Sequence, residues 1–176
     1  AEATTLGRLV GDGSLVLGDG YRTRADQLGR EGLPILRVGE VLDGRLEPSF
    51  VDRVRDEFRP RIGPKTSRVG DVVVTTKGTV GRVAMIRSVD PEFVYSPQVC
   101  FLRSVDGRIE PAWLYYWLQS PDFKQQALGV QSQTDMAAYI NLQDLRSMHI
   151  ALPTIEEQRR IAATLGALDD KIDSNR

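Results

Sequence analysis

Apolar residues fall into two kinds of pattern along this chain. In the middle, Val72-Val73-Val74-Thr75-Thr76 and Arg82-Val83-Ala84-Met85-Ile86 are β-branched-rich runs joined by Lys77-Gly78-Thr79-Val80-Gly81, which predicts a hairpin. Its two glycines supply turn geometries that side chains forbid. Leu33 to Val38 reads as a short strand with Pro34 at its start or on an edge, and Gln98 to Leu102 as another strand. Leu6 to Val10 alternates weakly, and Gly11, Gly13, Gly18 and Gly20 mark turns in the next stretch of chain. Pro111 opens a helix at the position where a missing N–H costs nothing. In that helix Trp113, Leu114, Trp117 and Leu118 make one apolar face, which reads as core. Ser120-Pro121 starts a second helix, from Asp122 to Leu128, stopped by Gly129.

The helical period is longest at the C-terminal end. Thr154 followed three residues later by Glu157 is a capping box, and Pro153 discourages helix from extending backwards. Beyond it Ile161, Leu165, Leu168 and Ile172 form a narrow seam flanked by Arg159, Arg160, Asp169, Asp170 and Lys171. A strip this narrow suits a single partner helix, and spacing alone equally allows packing on the chain's own domain. Strands and helices alternate without a regular βαβ order, which points to an α+β fold with a mixed or antiparallel sheet and packed helices. The expected division is a domain over residues 1–152 and a coiled-coil-type helix over 153–176.

Composition narrows the function classes. At 41% hydrophobic and 27% charged over 176 residues, the chain has the make-up of a globular domain with a real core. No apolar run reaches membrane-spanning length and no leader pattern is visible at Ala1-Glu2-Ala3-Thr4-Thr5, so a cytoplasmic protein without a membrane partner is expected. The missing initiator Met suggests trimming or a piece cut from a longer chain. A lone Cys100 fits a reducing compartment. The net charge of −1 argues against indiscriminate coating of nucleic acid. Residues 51–90 nevertheless hold nine Lys/Arg against five acids, either a phosphate-facing surface or a solvated face with acids nearby in space.

A search for catalytic chemistry finds little. His149 and Cys100 are each the only residue of their type, so a zinc site or a His-based triad lacks partners. The Gly-rich turn lacks the spacing of a phosphate loop, and no dinucleotide fingerprint is present. No metal and no cofactor are expected, although carboxylate pairs stay open among 24 acids.

The run Ile150-Ala151-Leu152-Pro153-Thr154-Ile155-Glu156-Glu157-Gln158-Arg159-Arg160-Ile161-Ala162, with Leu165 and Leu168-Asp169, resembles the junction in specificity subunits of type I restriction–modification systems, where a target-recognition domain passes into a spacer helix. Val69-Gly70-Asp71-Val72-Val73-Val74-Thr75, followed by Lys77-Gly78-Thr79-Val80-Gly81-Arg82-Val83, is similar to that family's hairpin, and Leu33-Pro34-Ile35-Leu36-Arg37 and Pro111 to Tyr116 fall at its expected places. The resemblance implies a non-catalytic subunit that reads one half of a split sequence in double-stranded DNA. It also implies spacer helices that pair with one another, with modification (methyltransferase) and restriction subunits docking on that frame. Such subunits carry two recognition domains and two spacer helices. One of each here implies a fragment, or a half-subunit that restores a palindromic site by homodimerisation.

On exposure and chemistry, the expected DNA contacts are the hairpin loop (Lys77, Thr79), the Ser96–Gln98 turn, the amide-rich loop (Gln131, Ser132, Gln133, Thr134) and the basic stretch (Lys65, Arg68). The expected helix-partner interface is Ile161, Leu165, Leu168 and Ile172. Two other readings stay open: a recognition domain cut from a single-chain restriction–methylation enzyme, and a scaffold whose task is helical dimerisation.

Overall fold

The chain opens with strand β1 (Glu2–Thr5) and turns at once into helix α1 (Leu6–Gly11), because the Thr5 hydroxyl accepts the Arg8 N–H and caps it. The weak alternation at Leu6–Val10 is therefore helical, with Leu6 and Leu9, three apart, both buried. Next come β2 (Leu15–Gly18), β3 (Leu28–Gly29), β4 (Leu33–Leu36), β5 (Arg53–Val54) and the short helix α2 (Arg59–Ile62). The expected hairpin is β6 (Val72–Thr75) with β7 (Val83–Met85), and β8 (Val94–Tyr95) and β9 (Val99–Ser104) come after it. Helices α3 (Pro111–Trp117) and α4 (Pro121–Val130) precede β10 (Ser132–Gln133), β11 (Ala138–Tyr139), α5 (Leu142–Arg146), β12 (His149–Leu152) and α6 (Ile155–Ser174). Gly129 does not stop α4: it lacks the positive φ of a helix-ending glycine, and the helix runs through it. The computed structural model describes residues 1–133 and 138–175, with the backbone alone at 132, 133 and 138.

Val72, Val73 and Val74 offer no polar face to water, so the strand they form must be covered on both sides. It lies inside an antiparallel sheet of order β2-β9-β6-β7. One face packs Leu15, Leu17, Val72, Val74 and Leu102 against Leu6 and Leu9 of α1, Trp113 and Leu114 of α3, and Phe123 of α4. The other face packs Val73, Val99 and Phe101 against Leu36, Phe93 and Tyr95, which belong to a second sheet of order β3-β5-β4-β8 and its flank. In that sheet β4 and β8 run parallel, so the fold is α+β, and of its two four-stranded sheets one is antiparallel and one mixed. β1 pairs with β12 and brings the start of the chain beside the strand that leads into α6.

A charged cluster sits at one end of the main sheet. Val72 faces Leu102 in register, which sets Asp71 opposite Arg103. Arg103 donates from Nε and Nη2 to the two Asp71 carboxylate oxygens, both at 2.8 Å, and both side chains are buried. The Tyr95 hydroxyl donates to Asp71 at 2.6 Å, and the Arg68 N–H adds a fourth bond. Arg103 also donates to the carbonyls of Pro64 and Thr66 and stacks on the Phe101 ring. Burial opposes the Arg103 charge, but the Asp71 hydrogen bonds and charge outweigh it and raise its pKa. Burial, with the Asp71 carboxylate alongside, pushes the Tyr95 phenol far above its ordinary range.

α6 has two kinds of side. Gln158 is fully buried, accepts the Glu110 N–H through Oε1 and donates to the carbonyls of Arg108 and Pro153. Ala162 is buried, Gly166 comes near Tyr116, and Asp169 accepts the Tyr116 hydroxyl at 2.7 Å, so this side rests on α3. Thr154 accepts the Glu157 N–H at 3.3 Å, which is the Thr half of the expected capping box. Among the described residues no helix is long and apolar enough to cross a membrane.

Asp71→Asn leaves the Arg103 guanidinium buried without its counter-charge and is expected to lower folding stability by about 3–5 kcal/mol, read from denaturant midpoints. The raised Tyr95 phenol makes a second expectation. Its contribution is fully present below the ordinary tyrosine range near pH 10 and is lost as pH rises beyond it, because the unfolded chain releases that proton first. Denaturant midpoints measured between pH 8 and 11 should fall, and Tyr95→Phe should flatten that fall.

Candidate nucleic-acid interface

At the end of the main sheet opposite the Asp71–Arg103 cluster, β2 ends, β6 ends and β9 begins. Three segments meet there through their backbones. Thr76 N–H donates to the Gln98 carbonyl at 3.2 Å, Ile140 N–H donates to the Thr76 carbonyl at 2.8 Å, and Lys77 bridges to Tyr139. The β6–β7 turn, the Pro97–Gln98 corner and the β10–β11 hairpin thus form one surface. They border an open cavity of about 570 Å³ lined by Asp19, Arg22, Lys77, Gln98, Gln143 and Arg146, among others, with Cys100 at its floor.

Local geometry explains why the surface holds its shape. Gly78 and Gly81 have φ of 81° and 92°, left-handed conformations that favour glycine at both bends of the turn. The Thr75 hydroxyl donates to the Thr79 carbonyl and accepts the Arg82 N–H, closing the turn on itself. On the far wall Gly20 passes so close to Ser96 that a Cβ there would lie 1.9 Å from the Ser96 carbonyl oxygen. The Lys65 ammonium then ties that wall down, donating to Asp19 at 2.9 Å and to the Gly20 carbonyl at 3.1 Å. Burial pushes the Cys100 thiol up to about 11, so at neutral pH the cavity floor is uncharged.

Lys77 and Gln98 line the cavity, and Thr79 is exposed on the same turn. Gln131 is half-buried at the C-terminal end of α4, and Ser132 and Gln133 form β10, paired to β11 beside Lys77. Thr134 lies outside the described residues. Three expectations meet a different environment. Lys65 spends its charge on Asp19 and so supports the wall from behind. Ser96 is buried, with a hydroxyl that has no hydrogen-bond partner among the described residues, because the Gly20 segment covers it. Arg68 is exposed beside Asp71, at the other end of β6 from the cavity.

Sequence reading also missed cavity residues. Arg22 falls in a short stretch that carries no motif, and Gln143 and Arg146 fall in a stretch with no composition bias. Part of the basic excess over residues 51–90 is answered by acids outside the stretch, Arg59 pairing with Glu92 and Lys65 with Asp19, while Arg55 and Arg59 also pair within it, with Glu57 and Asp56. Lys77 is exposed at the cavity, and among the described residues it is in no ion pair. Among the described residues no three metal-ligating side chains stand together.

On α6, Ile161, Leu168 and Ile172 are exposed, by 39%, 52% and 53%, and Leu165 is half-buried. They form a ridge beside the face that carries Gln158 and Ala162, with Leu165 at the border and Ile172 at the edge of the cavity lined by Tyr115 and Tyr116.

Comparison with known proteins agrees with this architecture. The chain is 29% identical over 146 residues to the specificity subunit of the type I restriction enzyme EcoBI from Escherichia coli, a match covering 82% of this chain and 30% of that relative. The HsdS subunit from Thermoanaerobacter tengcongensis superposes with a TM-score of 0.70 over 98% of this chain and 38% of its own, at 22% identity. A chain solved in work on complex assembly and conformational transition of the type I R-M system gives 0.71 over 98% and 39%, also at 22% identity. The chain therefore spans about a third of the length of the curated relative and of these solved chains. The model of the type I restriction modification DNA specificity domain matches residues 30–176, and the chain belongs to that family.

Proposed function

We propose that this chain is the sequence-reading part of a type I restriction–modification complex, that it recognises one half of a bipartite DNA target, and that it has no catalytic role of its own. The observation that carries the reading is the convergence of the β6–β7 turn, Gln98 and strands β10 and β11 on one rim. That rim offers what DNA recognition needs: cations for phosphates (Arg22, Lys77, Arg146) beside amides for base edges (Gln98, Gln143). The ridge Ile161–Leu165–Leu168–Ile172 supports the second half of the reading. It pairs with another spacer helix, from a second recognition domain or a second copy of this chain, and the pair is the frame on which modification and restriction subunits dock.

Selection from a randomised duplex library, with the chain co-expressed beside a modification subunit, should enrich one short motif. Assembly of the two proteins without any enrichment would leave only a scaffolding role. Lys77→Ala should weaken binding to all duplexes alike and make the salt slope shallower by about 1. The double change Leu168→Glu with Ile172→Glu should abolish helix pairing in sedimentation experiments while the melting temperature of the domain stays within a few degrees, since both side chains already face water.

A further inference from the structure

α5 is only Leu142–Arg146, yet it is held from four directions. Its first turn is closed by a reciprocal box: Asn141 accepts the Asp144 N–H at 2.7 Å, and Asp144 accepts the Asn141 N–H at 3.1 Å. Ahead of it, Ile140 is tied to Thr76 at the end of β6. Beneath it, Leu145 is fully buried in the helical core. Behind it, α1 presses so closely that a Cβ on Gly7 would stand 3.0 Å from the Arg146 carbonyl oxygen and 3.2 Å from its Cβ. After it, Met148 accepts the Leu6 N–H through its carbonyl.

These contacts consume Asn141, Asp144 and Leu145; Asn141 and Leu142 also border the cavity, and the two uncommitted polar side chains that α5 presents there are Gln143 and Arg146. Gln143 and Arg146 are one helical turn apart, so they project from the same side. Both line the cavity that Lys77 and Gln98 line, and among the described residues neither side chain has a hydrogen-bond partner there. The carboxylate sharing that cavity, Asp19, is already paired with Lys65. An amide and a guanidinium on a short rigid element, beside a neutral floor, match the needs of base readout: a side chain must arrive at a base edge without first being ordered.

We infer that α5 sets the sequence preference of this domain, with Gln143 pairing to an adenine edge in the major groove and Arg146 holding the adjoining phosphate. A glutamine amide can donate and accept at once, which fits the adjacent N7 acceptor and N6 donor of adenine. The arginine fork suits a phosphate as a fixed cation one turn away. This rests on DNA being the ligand of the rim.

The test is motif selection and binding by the chain co-expressed with a modification subunit, for wild type, Gln143→Ala and Arg146→Gln. Gln143→Ala should lose about 10- to 100-fold discrimination at one A·T pair, with the salt slope unchanged. Arg146→Gln should weaken all duplexes together, with a slope shallower by about 1 and the motif retained. Cavity-lining positions such as these leave the fold intact, which thermal melting checks. A Gln143→Ala protein with the full wild-type motif would overturn the role of α5 while leaving DNA reading in place. A wild-type protein that enriches nothing would instead remove the DNA reading itself.

Discussion

Asp71 and Arg103 hold the architecture in place. A buried ion pair is a poor source of stability unless its remaining donors and acceptors are satisfied, because both charges lose their water. Here the satisfaction is extensive: Asp71 receives Arg103, Tyr95 and the Arg68 N–H, and Arg103 spends its other donors on two carbonyls of the 64–66 segment. Each partner comes from a different piece of chain. The cluster joins β6, β9, β8 and the segment before β6, and so sets the second sheet against the first. Apolar packing on both faces of β6 provides the larger share of the driving force. The charged cluster determines how the two sheets are aligned.

That alignment reaches the opposite end of the same strands. β6 is only Val72–Thr75, so the clamp at Asp71 and the rim at Thr76 are separated by one short, fully buried strand. Lys65, in the segment that Arg103 anchors through its neighbours Pro64 and Thr66, carries the constraint around to Asp19 and Gly20 on the far wall of the cavity. The surface that meets DNA in our reading is thus made of turns, yet turns closed by backbone bonds at 2.8 and 3.2 Å. α6 is held by a parallel device. Gln158 is buried with all of its bonds directed at backbone groups of the 108–110 loop and of Pro153, which fixes where the helix leaves the domain. Beside the face that α3 covers, Ile161, Leu168 and Ile172 are left exposed.

Much of the architecture could be read from residue order. The two β-branched runs and the Gly-rich connection between them announced the hairpin, and the spacing of Ile161, Leu165, Leu168 and Ile172 announced an apolar seam, of which Ile161, Leu168 and Ile172 are exposed. The features that stayed hidden depended on long-range pairing. Asp71 sat in a recognisable run, but its partner is 32 positions away and becomes visible only through strand register. Gln158 looked like one more polar residue at a helix start, because nothing local reveals that the 108–110 loop passes over it. Lys65 and Ser96 were marked by chemistry that suits DNA, and the fold pairs one with Asp19 in the cavity wall and buries the other. The α5 pair was missed for the reverse reason: glutamine and arginine three apart look ordinary until a cavity is known to lie in front of them.

The most direct check of the central claim is hydrogen exchange on the chain with and without its selected duplex. Exchange should slow at residues 76–81, 98 and 139–146, with the second sheet around residues 28–36 and 53–54 unchanged. Protection confined to that second sheet, with the rim exchanging as before, would contradict the account.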